Sequence, residues 1–194
     1  MSGSGREPGT PPPPAPRGPS LVDSVSVAPS RILVVEDSRT QADWLRQVLE
    51  REGYAVTVAQ DGREAIRRVR SEPPDLVLLD MILPDMNGLD VLRVIKARSE
   101  EQFIPVILLS VRSDLDSRVT GLRLGADDFL AKPFADAEIQ ARAAAMLRIK
   151  SLQDQLRAAL EMVCDKVAAE AENRRLLATL RAGDALRGRP TGEA

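Results

Sequence analysis

The chain has 194 residues, 43% of them hydrophobic and 29% charged, with a formal net charge of −2, one cysteine and no histidine. That leaves room for one ordinary domain plus extensions and gives no electrostatic reason to expect a nucleic-acid partner. It also excludes Ser-His-Asp and Cys-His nucleophiles, His-ligated metals, a disulfide framework and any phosphohistidine of the chain's own.

Residues 1–29, with the run "PPPPAPRGPS", are rich in Pro, Gly and Ser and are expected to form a disordered, solvated arm. This terminus lacks the apolar centre of a signal peptide. No apolar run has membrane-spanning length, so the expected location is cytoplasmic. From Arg31 the texture changes to "RILVV", a short β-rich run. "EDSRTQADWLRQVLEREG" follows, with Ala42, Leu45, Val48 and Leu49 at helical spacing and Gly53 as the stop. "YAVTVA" alternates and meets the turn signal Asp61-Gly62, and "REAIRRVRSE" is a second helix ended by Pro73-Pro74. "DLVLLD" and "IPVILLS" are fully apolar strands with the helix "GLDVLRVIKAR" between them. "SDLDSRVTGLRLGA" is a fourth helix closed by Gly125, and "DDFLAKPF" carries a fifth strand. A nearly continuous helical pattern then runs from Asp136 to about Arg181.

Strands that are apolar on both faces and alternate with helices predict a five-stranded parallel sheet, doubly wound, in an α/β domain. The functional crevice of such a fold lies at the carboxyl ends of its strands. There the sequence places Glu36 and Asp37, then Asp80, then Ser110, and finally Lys132 followed by Pro133. Singly, each has a plain structural reading: acids at a helix start, a turn aspartate, a serine cap, a surface lysine. Together they suggest more. Three clustered carboxylates repel one another unless a cation neutralises them, and an oxygen donor set of this kind suits Mg²⁺. A hydroxyl and an ammonium beside it would cradle a tetrahedral anion. No glycine-rich phosphate loop is present. The chemistry suggested is attack by a carboxylate on a phosphoryl group, giving an aspartyl phosphate.

"ILVVEDS", "DLVLLDMILPDMNGLDVL", "PVILLS" and "GADDFLAKPF" resemble the receiver domain of bacterial two-component response regulators over roughly residues 31–149. The resemblance implies the flavodoxin-like receiver fold and a phospho-acceptor role for Asp80, with the phosphate coming from a partner histidine kinase or phosphotransfer protein. It assigns Mg²⁺ to Glu36, Asp37, Asp80 and the backbone carbonyl of Ile82. It makes Ser110 the hydroxyl that reorients toward the phosphoryl group, Lys132 the cation before a cis proline, and Phe129 the mobile aromatic of a switch surface. Val111 stands where a small residue is usual, and apolar Ile82 with long Arg112 predicts slow self-dephosphorylation and no other catalysis.

Beyond the receiver, Ile149, Leu152, Leu156, Leu160, Val163, Val167 and Ala171 follow spacings of three and four that approach eleven residues in three turns. Leu176, Leu177 and Leu180 are expected to resume this stripe after a polar gap. A coiled coil follows from it, with a homodimer through the C-terminal helix as one arrangement. The expected organisation is an arm over 1–29, the receiver over 30–150, a helical extension over 151–182 and a flexible tail over 183–194. "MLRIKSLQDQL" resembles the junction leading into a signalling helix in longer relatives. The resulting expectation is a regulator that switches protein-protein interactions, with no DNA-binding or enzymatic output and no nucleic-acid partner. The alternative is a coiled-coil scaffold or phosphate sink.

Overall fold

The computed structural model describes residues 28–97, 102–111 and 115–187. Its elements are β1 (Arg31–Val35), α1 (Arg39–Glu50), β2 (Ala55–Ala59), α2 (Gly62–Ser71), β3 (Leu76–Asp80), α3 (Gly88–Lys96), β4 (Val106–Val111), α4 (Leu115–Arg123), β5 (Asp128–Lys132) and α5 (Asp136–Arg187). All strand pairs are parallel, in the order β2-β1-β3-β4-β5. Strand order reverses between β1 and β3, so the crevice opens beyond their carboxyl ends. This is the flavodoxin-like, doubly wound sheet that the sequence predicts.

The period-2 geometry of the strands divides the core into two layers. Leu33, Val35, Val77, Leu79 and Leu108 face one side, where they pack with Ala65 and Val69 of α2 and with Val91, Leu92 and Ile95 of α3. Ile32, Val34, Leu78, Ile107 and Leu109 face the other, against Leu45, Val48 and Leu49 of α1 and Ile139, Ala143 and Leu147 of α5. Each fully buried Leu, Ile or Val contributes about 1.5–3 kcal/mol relative to exposure, so the central strands anchor the domain. The helix stops hold as well. Gly53 and Gly125, following α1 and α4, have φ of +85° and +95°, a region that disfavours other residues.

Two expectations change at the C-terminal side. The helix does not end near Arg181 but continues through Gly183 to Arg187, so the tail predicted from residue 183 is helical at its start. Glycine costs about 1 kcal/mol relative to alanine in a helix but keeps its N–H for the ladder, so it weakens the helix without stopping it. Leu176 does not resume the stripe, because at about 100° per residue it falls on the opposite side of the helix from Ile149. The stripe also stays off the receiver: its branched residues from Ile149 to Val167 are exposed. Residues 1–27, Arg112 to Asp114 and the segment 188–194 lie outside the described residues, and with them most of the predicted arm. Among the described residues no helix is long and apolar enough to cross a membrane.

Candidate functional site

The five strand-end residues meet in one cavity of about 160 Å³, lined by Glu36, Asp37, Asp80, Ser110 and Lys132 together with Ser38, Gln41, Met81 and Ile82. Glu36 follows β1 and is 1% exposed, Asp80 closes β3 at 8%, and Ser110 in β4 is at 2%. Asp37 is exposed. Carboxylate oxygens of Glu36, Asp37 and Asp80 lie within 4.8 Å of one another. Lys132, the last residue of β5, spans the cavity: its Nζ donates to Asp80 Oδ2 at 2.5 Å and to Glu36 Oε2 at 2.7 Å. Asp80 Oδ1 accepts from the Ile82 amide at 3.0 Å, which fixes the carboxylate from the other side. The Lys132-Pro133 bond is cis, as expected.

Burial raises the Glu36 pKa above its ordinary value; the Lys132 contact opposes this, and the nearby Asp80 charge adds to it. Burial pulls the Lys132 pKa down, but its hydrogen bonds to Asp80 and Glu36 outweigh that and raise it. Lys132 therefore stays charged, and its ammonium favours the ionised form of Glu36 against the effect of burial.

The residues fit Mg²⁺ and a phosphoryl group on two observations. The donors are hard carboxylate oxygens converging from two strands, which is the set that a small divalent ion prefers. Ser110 Oγ is buried beside them with no hydrogen-bond partner. A buried hydroxyl left unpaired costs about 1–3 kcal/mol. Ser110→Ala should therefore leave the unmodified protein as stable or about 1 kcal/mol more stable, measured by urea unfolding, while removing a donor for an incoming oxyanion. A loss of more than about 1 kcal/mol would show that the hydroxyl is already satisfied.

The loop after β3 is held by contacts that the sequence reading missed. Asp85 accepts from the amides of Gly62 at 2.8 Å and Arg63 at 3.0 Å, which caps α2 from the β3–α3 loop. Burial alone would raise the Asp85 pKa, but these backbone hydrogen bonds lower it. The partners are far apart in sequence, so no local motif could reveal the cap. Asn87 caps α3 through the Leu89 amide at 2.9 Å, and Ile82 bridges to Asn87 with its side chain 68% exposed. Gly88 packs directly beneath the site. A Cβ there would fall on the Asp80 carbonyl oxygen and 2.7 Å from Met81 Cα. Both obstacles are backbone, so Gly88→Ala should destabilise the domain by about 2–3 kcal/mol. It should also shift Asp80, visible as weakened Mg²⁺ binding by isothermal titration calorimetry.

Phe129 is half-buried and packs against the core layer containing Leu108, its register partner on β4. The side chains of Val111 and Arg112 lie outside the described residues, so the expectations placed on them do too.

Sheet order, layers and pocket define a flavodoxin-like α/β domain with a lysine-bridged acidic site at its switch point. The chain belongs to the response regulator receiver domain family, whose model matches residues 32–144. It is 45% identical over 120 residues to the response regulator MprA of Mycolicibacterium vanbaalenii, covering 62% of this chain and 51% of that one. It is 47% identical over 118 residues to the DNA-binding response regulator MtrA of Mycobacterium leprae, covering 61% and 51%. Among solved structures, a CheY-like receiver domain protein of Methanospirillum hungatei aligns with a TM-score of 0.60 at 29% identity over 65% of this chain and 99% of that one. Vibrio cholerae CheY4 aligns at 0.58 and 26% identity, over 61% and 99%.

These relatives correct one expectation. The chain spans about half the length of the curated relatives it matches, and several are named as DNA-binding or transcriptional regulators. The reading of an interaction-only regulator without DNA-binding output or nucleic-acid partner is therefore overturned. It rested on a net charge, which describes only the residues at hand.

Proposed function

We propose that this receiver is the phospho-acceptor of a two-component relay, in which Asp80 takes a phosphoryl group from a phosphohistidine on a partner kinase or phosphotransfer protein. The observation that carries the reading is Asp80 at the cavity floor, between Lys132 and the acidic pair, beside the unpartnered Ser110 hydroxyl. An Asp80 carboxylate oxygen attacks phosphorus, the P–N bond of the donor breaks, and its electron pair returns to the imidazole. Glu36, Asp37, Asp80 and the Ile82 carbonyl would hold Mg²⁺, which when bound neutralises charge on the phosphoryl oxygens. Lys132 exchanges a carboxylate contact for a phosphoryl oxygen, and Ser110 donates its hydroxyl proton to another. Phe129 on β5 is the element that follows, on the surface formed with α4 and α5.

The receiver unit spans 30–150 and the helical extension continues from 151 to Arg187, in a cytoplasmic regulator. Its regulatory role is that of the family, and self-dephosphorylation is its only other chemistry. The exposed apolar Ile82 beside the site does not orient water, so the aspartyl phosphate should last minutes or longer, a barrier of about 21 kcal/mol or more. Decay within seconds, followed by mass spectrometry after donor removal, would contradict this. The relatives' names support transcriptional control as the output of the whole protein.

The test is intact mass after incubation with phosphoramidate, a small P–N donor, with Mg²⁺ or with a chelator. A single Mg²⁺-dependent phosphoryl adduct mapping to Asp80 is expected. An adduct elsewhere, or none, would refute the assignment.

A further inference from the structure

We infer that residues 149–171 of α5 form a parallel, in-register two-stranded coil with the same segment of a second copy of this chain. The inference is independent of phosphorylation at Asp80.

α5 has two distinct apolar faces. Ile139, Ala143 and Leu147 are buried against the receiver. Past Lys150, itself buried and paired with Asp154 at 2.6 Å, every described side chain through Leu177 is exposed. Ile149, Leu152, Leu156, Leu160, Val163 and Val167 make one stripe there, each showing 41–60% of its surface. At about 100° per residue the stripe is turned roughly a third of a turn from the receiver-facing side. A helix docked on it would meet neither receiver core.

Most helical stability in proteins comes from packing an apolar face, and past Lys150 α5 has none packed against its own receiver. Its six branched side chains each leave 41–60% of their surface open, and with Ala171 and the stems of flanking residues they offer apolar surface toward the roughly 800 Å² per partner of a stable interface. Charge selects the occupant. Five acidic and four basic residues lie between Ser151 and Arg175, so the segment neither repels a copy of itself nor favours a strongly charged surface. A second copy also carries the same near-eleven-residue period, which lets every apolar layer match along the length of the coil.

Direction follows from what flanks the stripe. Traced back toward the receiver, the same face of α5 carries Glu138 and Arg142, the latter ion-paired to Asp128 at 2.6 Å. An antiparallel partner with its stripe matched to this one would set its polar Glu172–Arg175 segment opposite residues 145–148 and run its remaining turns past Glu138 and Arg142, crowding charged groups beside the receiver. A parallel pair stacks like with like: Leu156 on Leu156, Leu160 on Leu160, and the polar segments together beyond Ala171.

The experiment uses the full chain. Sedimentation equilibrium at micromolar concentration should give a dimer, and Leu160→Glu should give a monomer whose receiver still melts cooperatively. For register, Leu156→Cys and Ala158→Cys are each made in a Cys164→Ser background and oxidised mildly. Leu156 lies at the centre of the stripe and Ala158 on the opposite side. Rapid disulfide dimers from Leu156→Cys, at least tenfold faster than from Ala158→Cys, would support the parallel coil. A monomeric wild type overturns the inference, as does a dimer that survives Leu160→Glu. Equal crosslinking at the two positions overturns the register.

Discussion

Asp80→Asn should give a folded protein that accepts no phosphoryl group, with labelling by phosphoramidate falling at least about 1,000-fold, or ~4 kcal/mol in barrier. The amide oxygen can still accept from the Ile82 N–H, because that bond uses Asp80 Oδ1. The amide nitrogen, placed where Oδ2 now meets Lys132, cannot accept from the ammonium, so Lys132 falls back on Glu36 alone. One charge-assisted bond is lost, worth about 1.5–3 kcal/mol. Against this, removing the Asp80 charge eases the repulsion that helps to raise the Glu36 pKa. The two effects oppose, and the net change in urea stability should stay within about 2 kcal/mol. Chemistry and stability thus separate in this variant. Residual labelling on another carboxylate at a comparable rate would mean that the cavity, not Asp80, is the acceptor.

Much of this site was legible because its residues sit where strands end. "LVLL" must be a buried strand, and the residue after it must emerge at the rim, which placed Asp80 without knowledge of the fold. The same reasoning placed Glu36, Ser110 and Lys132. What it could not supply were the distances among them. Nothing local says that the Lys132 side chain reaches Glu36 and Asp80 at once, because these contacts span 96 and 52 residues. The Asp85 cap on α2 was invisible for the same reason. Propensity reasoning failed at Gly183, where a helix tolerates a glycine, and hydrophobic counting failed at Leu176, which lies five residues, or about 140° of helix, beyond Ala171. The output was misread for another reason. Net charge describes the residues in hand, whereas the relatives' named activities belong to proteins twice the length of the matching part.

Lys132→Met should be the most disruptive single change to the unphosphorylated site. Glu36 is buried, and Lys132 donates to it at 2.7 Å. Removing a partner from a buried pair costs about 3–5 kcal/mol. Here the cavity lets water in, since the Lys132 side chain is 21% exposed, so a loss of about 2–4 kcal/mol is expected at neutral pH in a chelator. The loss should depend on pH. Burial already raises the Glu36 pKa, so the native state binds that proton more tightly than the unfolded chain does. A raised carboxyl leaves stability intact below the ordinary carboxylate range and removes it as pH climbs through the native value. Without Lys132 the native value climbs further, so the variant should lie closer to wild type at pH 5 than at pH 7.5 in urea unfolding. Mg²⁺ should recover part of the deficit at neutral pH, because a cation that binds only the folded site adds stability by mass action. Phosphoryl transfer should not recover: the ammonium that meets the incoming oxyanion is gone, and labelling should drop by about 100-fold or more. A variant as stable as wild type at both pH values would mean that Glu36 is already protonated in the native protein. The carboxylate proposed to hold the cation would then not be charged until the cation arrives.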